Sequence, residues 1–471
     1  MEKVEKKAYG GHILLLPFPI QGHINPILQF SKRLASKDVK VSVVLTNYMA
    51  RTINIQVGPF NIETISDGYD DVGRSGASST EEYLKSFATF GSKTLADLIE
   101  RIQKSDDDIP VSCVVYDSFV PWVSNVTQKL NLVGAIFFTQ SLGVTSIYYY
   151  LYRGLLKVPM PDGEMISIPG LPLLKVLELP SFVPDLESSP HYLRLLVNQF
   201  SNIEKADWVL FNTFDQLEPE VLNWMAKLWR VRTIGPTIPS KYLDKRIEGD
   251  NDYGLNIFDT KRYECMDWIN AKEDNSVIYV SMGSMAVLKQ EQMEEVAGAL
   301  LGCDYNFLWV VRQTEENKIP STFRKDITTS PGSEKGLVIT WCPQLEVLSH
   351  PALGCFVTHC GWNSTMESLS LGVPMIAFPQ WSDQPTNAKC VEDLWKVGIR
   401  VKVEEDEDGI LRKSELELCI KEAMEGEKGK EMKKNANKWK ELAVQAVSEG
   451  GSSDKNVDEL LEALNEKKVK G

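Results

Sequence analysis

The sequence predicts an α/β protein built from two doubly wound, Rossmann-like domains facing each other across a cleft. Three observations carry this expectation. At 471 residues the chain is too long for a single hydrophobic core. Short apolar runs of the kind that form buried parallel strands, among them ILLLPF, VSCVVY, GAIFF and VIYVS, alternate with helical stretches. Between the two series lies Lys241 to Asn256 (KYLDKRIEGDNDYGLN), which is polar, charged and poor in periodicity and reads as an interdomain linker. The expected division is a first domain over 1–240, the linker over 241–256, a second domain over 257–450 and a terminal segment over 451–471.

Composition narrows the function. A chain with 43% hydrophobic and 25% charged residues is globular, and a net charge of −14 argues against nucleic acid or an anionic membrane surface as partner. No apolar segment approaches the ~20 residues of a membrane span. The opening MEKVEKKAYGG is followed only by the short apolar run His12 to Phe18, which does not read as a signal peptide. Eight cysteines without CxxC pairs point to free thiols in a reducing compartment, so a cytoplasmic location is expected. Cys342, Cys355 and Cys360 lie near His359 but lack the tight pairing of zinc ligands, and no metal is expected there.

In chain order, HILLLPFPIQGHINPILQFSKRLASK opens with a buried strand. NPILQFSKRLA then reads as an amphipathic helix with Asn25 at its cap and Pro26 at its first position. Gly22 and His23 fall in the connecting loop, at the carboxyl edge of a sheet, where ligands bind. His23 is the candidate general base, because an imidazole beside a helix N-terminus is disfavoured as the cation. In isolation it reads sooner as a turn residue, and it is Asp117 that tips the balance. Val111 to Tyr116 form another buried strand with Asp117 at its carboxyl end, in a position to share that crevice and orient the imidazole as a dyad.

The acidic runs ISDGYDD and SDDD read as solvated loops, since neither follows a buried strand as a metal-holding Asp-x-Asp does. Gly134 to Phe138 make a strand with Thr139 at its end, and the helix beyond it is rich in aromatics. Its tyrosines Tyr148, Tyr149 and Tyr150 are candidates either for core packing or for an acceptor cavity. Residues 154–200 are rich in Pro and Leu and read as an irregular cover over an apolar pocket. Phe119, Gln140, Tyr148 and Phe200 are the candidate acceptor contacts.

ADWVLFNTFDQLEPEVLNWM and VRTIGPTIPS close the first domain. The second opens with a helix near Cys265 and a strand, NSVIYVSMGS, whose Ser281, Gly283 and Ser284 face the cleft and permit close backbone approach. FLWVVR and GLVITWCP add strands. After the stretch described next come IRVKV, an acidic loop EEDEDG and helices. The last of these spans roughly Ser453 to Lys467. No GxGxxG follows any strand, which weakens a nicotinamide-dependent dehydrogenase reading.

The most informative stretch runs from Trp341 to Gln384. Cys355, Phe356 and Val357 are β-like, Gly361 turns the chain, and Asn363 and Ser364 open a helix. Such a helix N-terminus offers unpaired N–H groups and a partial positive charge to a diphosphate, with His359, Asn363 and Ser364 adding side-chain donors. Glu367, one turn on, can take both hydroxyls of a ribose. Trp341 offers a ring face to a base beside Cys342, Pro343 and Gln344, while Trp381, Asp383 and Gln384 suit a polyhydroxylated sugar.

This stretch closely resembles the signature box of the plant UDP-dependent glycosyltransferases, from its opening Trp to its closing Gln, and the GHINP segment is similar too. The resemblance implies the GT-B fold and metal-independent, inverting transfer of glucose from UDP-glucose to a small apolar acceptor. No permanent cofactor is implied. It places Thr139 near the donor sugar and Ser284 near the donor phosphates, and it gives His23 and Asp117 the catalytic roles. The final helix is expected to pack back on the first domain. Gln384 and Trp362 occupy the positions that go with glucose in that family. PFPIQGHINPILQFSKRLASK, ISDGYDD and VVYDSFVPW look like its family 74, whose members glucosylate both carboxylates and hydroxyls. A carboxylate needs no base, so the paired His23 and Asp117 favour a hydroxyl of a terpenoid, steroid or phenolic, with ester formation the alternative. A catalytically silent nucleotide-sugar-binding protein is a further alternative, and a monomer is expected.

Overall fold

The computed structural model describes residues 11–55, 58–106, 108–160, 163–184, 190–256, 262–323, 335–403 and 409–470. The acidic loop EEDEDG therefore falls, but for Gly409, outside the described residues. Two parallel sheets organise the chain. The first contains β1 (His12–Leu16), β2 (Lys40–Thr46), β4 (Asn61–Ile65), β5 (Val111–Asp117), β6 (Val133–Phe138), β7 (Trp208–Phe211) and β8 (Val231–Thr233), in the order β4-β2-β1-β5-β6-β7-β8. The second contains β10 (Val277–Ser281), β11 (Asn306–Val310), β12 (Gly336–Ile339), β13 (Leu353–Thr358), β14 (Met375–Ala377) and β15 (Gly398–Arg400), in the order β12-β11-β10-β13-β14-β15. This is the pair of doubly wound units that the sequence leads one to expect.

Burial on both faces explains the continuous apolar runs. Leu14 and Leu16 of β1 enter one core cluster while Ile13 and Leu15 enter the cluster on the other face. In β10, Ile278 and Val280 face one core while Val277 and Tyr279 face the other. Each sheet reverses its winding once, between β1 and β5 in the first and between β10 and β13 in the second. At such a switch point the loops leave in opposite directions and open a crevice at the strands' carboxyl ends. The ends of β1, β5, β10 and β13 all contribute residues to one cleft of about 690 Å³.

The first helix, α1 (Gln21–Ala35), begins earlier than its sequence suggests, so Gly22 and His23 lie in its first turn rather than in a loop, and Pro26 sits inside it. Proline has no N–H to bond the carbonyl four residues back, which here is Gly22. That carbonyl is satisfied from the other domain: Asn363 Nδ2 donates to it at 2.8 Å. The helix can thus start five residues before its proline.

The segment Lys241 to Asn256 is bound to both halves of the molecule. Lys32 Nζ of α1 donates to the buried Asp250 carboxylate at 2.8 Å and to the Asp252 carbonyl at 2.7 Å, while Arg33 pairs with Asp244 at 2.6 Å. Its end forms β9 (Leu255–Asn256), antiparallel to β3 (Asn54–Ile55). The helix Ser452–Lys470 lies on the first sheet, with Val457, Leu460, Leu461 and Leu464 in the core around Ile13 and Leu15. Lys37, just past the end of α1, reaches Asp454 and Asp458 on it at 2.8 and 2.7 Å.

Candidate active site

On the side of the first sheet, His23 projects from the first turn of α1 and Asp117 closes β5. The two meet because β1 and β5 are neighbours across the switch point. His23 Nδ1 donates to Asp117 Oδ2 at 2.7 Å, and a carboxylate can only accept, so the ring's Nε2 is left as the basic atom. Asp117 is fully buried and its other oxygen accepts the Phe119 N–H at 2.9 Å. Thr139, at the end of β6, places Oγ1 3.1 Å from the same Nδ1. Phe119 lies beside the base, ring centroids 4.7 Å apart.

The opposite side is built on β10 and β13. His359 follows β13, and its ring is held between two glycines. A Cβ on Gly283 would stand 2.6 Å from His359 Nε2, and one on Gly361 2.5 Å from it. Gly283 also has φ +72°, a conformation costly for any other residue. Burial pushes the His359 pKa down to about 4, against a raising hydrogen bond with the Ser281 backbone, so the ring is neutral near pH 7. Its Nδ1 is buried and has no hydrogen-bond partner among the described residues, so it is available to a ligand in the cleft. Directly after it, helix Trp362–Leu371 points its N-terminus at the cleft, with Gly361 as N-cap and no side chain capping it. Ser284 lines the same corner.

Further along this helix, Glu367 is 5% exposed. Its Oε2 accepts from Gln344 Nε2 at 2.6 Å, and Gln344 is itself fixed by the Tyr279 hydroxyl at 2.9 Å and by Ser364 Oγ at 3.0 Å. Burial raises the Glu367 pKa against the lowering hydrogen bonds from Gln344 and Tyr253. Trp341, Cys342 and Gln344 line the adjoining end of the cleft, with the Tyr279 hydroxyl 3.2 Å from Cys342 Sγ. Asp383 accepts from Asn387 Nδ2 at 2.7 Å, and burial pushes its pKa up to about 6. Gln384 Oε1 accepts the N–H groups of Gln380 and Trp381 at 2.8 and 3.0 Å, which orients the amide by its oxygen. Trp362 Nε1 donates to the Asn212 carbonyl of the first domain at 2.8 Å.

Most residues singled out from the sequence therefore border one cleft: Gly22, His23, Phe119, Thr139, Gln140, Ser284, Trp341, Cys342, Gln344, His359, Trp362, Asn363, Ser364, Glu367, Trp381, Asp383 and Gln384. Tyr148 and Phe200 do not. Tyr148 is completely buried, and Phe200 stacks on Phe138 and Trp229 in the core. Both fill the space between the first sheet and its covering helices, where large aromatic side chains have the most surface to bury. Trp381 is placed differently from its sequence neighbours. Its ring meets Phe182 and Tyr192 of the first domain edge-on, at 5.6 and 5.7 Å, so it closes the apolar wall of the cleft.

The sequence reading missed that wall, formed by Phe18, Ile20, Phe182, Tyr192, Leu195 and Leu196. It also missed Tyr279 and Tyr253. Tyr279 carried a signal, a hydroxyl in an otherwise apolar buried strand. The ISDGYDD run is also less solvated than expected, because Asp67 is buried and accepts the Tyr83 hydroxyl at 2.9 Å. Among the described residues, no group of three or more His, Cys, Asp or Glu side chains could hold a metal ion, and no helix is long and apolar enough to cross a membrane.

Comparison with known proteins adds to this geometry. A family model described as UDP-glucuronosyl and UDP-glucosyl transferase matches residues 198–441, and one described as glycosyltransferase, N-terminal domain, matches residues 12–67. The chain is 50% identical to a flavonol 7-O-beta-glucosyltransferase of Arabidopsis thaliana over 96% of its own length and 98% of the relative's. It is 46% identical to a mogroside I-E synthase of Siraitia grosvenorii, with 97% and 98% covered. The crystal structure of Os79 from O. sativa in complex with UDP superposes with a TM-score of 0.88 at 37% identity, covering 96% of this chain and all of that one.

Proposed function

Since this chain belongs to the UDP-glucuronosyl and UDP-glucosyl transferase family and is a GT-B glycosyltransferase of the plant family 74 type, we propose that it transfers glucose from UDP-glucose to a hydroxyl of a small apolar molecule, with inversion to the β-glucoside. One observation carries the reading. A His–Asp dyad at the switch point of the first sheet looks across a single cleft at the uncapped helix N-terminus of the second, and Asn363 joins the two through the Gly22 carbonyl.

The chemistry follows from the parts. His23 Nε2 takes the proton of the acceptor hydroxyl as its oxygen attacks the anomeric carbon from the face opposite UDP. The C–O bond to the diphosphate breaks, the new glycosidic bond forms, and a single displacement inverts the configuration. Asp117 stabilises the imidazolium that results. The negative charge gathering on the leaving diphosphate meets the N-terminus of helix Trp362–Leu371, the neutral His359 ring and the Ser284 hydroxyl. Glu367 takes the ribose hydroxyls, Trp341 the uracil face, and Asp383 and Gln384 the glucose hydroxyls. The wall of Phe18, Phe182, Tyr192 and Trp381 takes an apolar acceptor.

Two features support a hydroxyl acceptor over a carboxylate. A carboxylate is already ionised at pH 7 and needs no base, whereas this site carries an oriented one. The relative named as a flavonol 7-O-beta-glucosyltransferase points the same way. One observation favours the ester-forming alternative: Arg74 lines the cleft and could attract an anionic acceptor. Incubation with UDP-glucose and matched phenols, terpenoid alcohols and carboxylic acids, with the anomeric proton coupling of each product read by NMR, tests the proposal. β-Glucosides from alcohols or phenols support it. Products confined to acyl glucosides overturn the acceptor class, an α-linked product overturns inversion, and UDP binding without turnover of any acceptor overturns the enzyme reading.

A further inference from the structure

The carboxylate of Glu367 is gripped from two directions, and only one of them belongs to the Trp341–Gln384 stretch. Gln344 Nε2 donates to Oε2 at 2.6 Å, while the Tyr253 hydroxyl, arriving from the segment between the domains, donates to Oε1 at 2.7 Å. Tyr253 lines the cleft beside Glu367. Its hydroxyl is an obligate donor here, since burial and the adjacent carboxylate hold its pKa far above neutrality.

The segment that delivers this hydroxyl is tied down on both sides of the tyrosine. Before it, the Asp250 carboxylate accepts from Lys32 Nζ at 2.8 Å and from the Ser240 N–H at 2.7 Å. The Asp252 carbonyl accepts from Lys32 Nζ and from Gln29 Nε2 at 3.0 Å, and the Asp252 side chain takes the Gly254 N–H at 2.7 Å. After it, β9 pairs with β3. Lys32 and Gln29 stand on α1, the helix that carries His23, so the tyrosine is registered to the first domain while its hydroxyl acts on the second.

An ionised carboxylate has about four lone-pair positions, two on each oxygen. Tyr253 takes one on Oε1 and Gln344 takes one on Oε2. One acceptor position remains on each oxygen, and the plane of the group is fixed. Two acceptors side by side in a fixed plane match two vicinal hydroxyls better than one. We propose that Tyr253 is a positioning residue that aligns Glu367 for the cis-diol of the donor ribose and thereby sets the enzyme's discrimination between ribo- and 2′-deoxyribonucleotide sugars. This rests on the assignment of Glu367 to the ribose made above.

The test compares UDP-glucose with 2′-deoxy-UDP-glucose in steady-state kinetics for the wild type, Tyr253→Phe and Glu367→Ala. The deoxy donor forgoes one hydrogen bond to a carboxylate, so a wild-type preference on the order of 100-fold in kcat/KM is anticipated. Tyr253→Phe keeps the ring and removes only the hydroxyl. It is expected to raise KM for UDP-glucose about tenfold with kcat within about twofold, to change KM for the deoxy donor by less than about twofold, and so to shrink the preference about tenfold. Equal losses for both donors, or an unchanged preference, would show a structural role and overturn the inference. Glu367→Ala separates the two claims. If it abolishes the preference while Tyr253→Phe retains it, the ribose assignment stands and the role of Tyr253 falls; if it leaves the preference intact, the ribose assignment itself fails.

Discussion

The two walls of the cleft are made by different means. The wall on the second sheet is polar and nearly contiguous in sequence, since one strand–turn–helix passage brings His359, Asn363, Ser364 and Glu367 together, and Asp383 and Gln384 follow shortly after. The wall on the first sheet is largely apolar and assembled from distant pieces: Phe18 after β1, Phe119 after β5, Phe182 from a covering segment and Tyr192 from helix Pro190–Asn198. The first kind of wall recognises a ligand by fixed donors and acceptors, so it demands particular residues at particular spacings. The second recognises shape and surface, which many residues can supply. Under the proposed function, sugar donor and apolar acceptor meet two unlike kinds of chemistry in one cleft.

The comparison breaks most severely where the polar wall has no slack. In Gly283→Ala the new methyl lands on the His359 ring at a backbone angle that disfavours it, so KM for UDP-glucose should rise by on the order of 100-fold, while an acceptor analogue binds as before. A donor KM within a factor of three of wild type would remove the His359 cradle from the account. Asn363→Ala strands the Gly22 carbonyl that Pro26 leaves without a helical partner. A half-buried carbonyl left without its partner costs about 1 kcal/mol, so kcat/KM should fall roughly fivefold. Pro26→Ala, which restores a helical N–H to the same carbonyl, should recover part of the loss in the double variant, and no recovery would discard the explanation.

Titration sharpens the contrast further. Burial raises the Asp383 pKa to about 6, so the group ionises only above that pH and accepts hydroxyls best there. Calorimetric binding of UDP-glucose should therefore be tightest above pH 7 and weaken about tenfold by pH 5, with Asp383→Asn weak and flat across the range. A flat wild-type profile contradicts this. The smallest effect belongs to the apolar wall. Phe182→Ala, which opens the Phe182–Tyr192–Trp381 contact, should raise acceptor KM about fivefold and leave KM for UDP-glucose unchanged. Equal changes in both constants would mean that the two walls do not act separately.

The same contrast explains what could be read from the sequence. The alternation of buried parallel strands and helices needs no tertiary information, because runs such as ILLLPF must be covered on both faces wherever they sit. The polar wall was visible because its residues lie within a few turns of one another and chemistry fixes their spacing. His23 and Asp117 are far apart in sequence but were accessible through topology, since one follows and the other ends a strand that flanks a switch point. The apolar wall was not accessible. Phe182 and Phe200 look alike in sequence, yet one borders the cleft and the other stacks in the core, and only the packing of the covering segments separates them. Pro26 misled for a definable reason: the partner that lets the helix start early is Asn363, far along the chain. Tyr253 was hidden in a stretch whose lack of periodicity reflects many specific side-chain bonds rather than freedom.

In the proposed mechanism, a base held on one wall drives attack on a sugar held by the other. This mechanism is tested most directly by assaying His23→Ala on a matched pair of acceptors, a phenol and the corresponding benzoic acid, with UDP release as the readout. Here kcat should fall at least about 1000-fold for the phenol, which must lose its proton, and less than about tenfold for an acid that is already ionised, with KM for UDP-glucose unaltered in both. Similar losses for the two acceptors, or a phenol rate close to wild type, would contradict it.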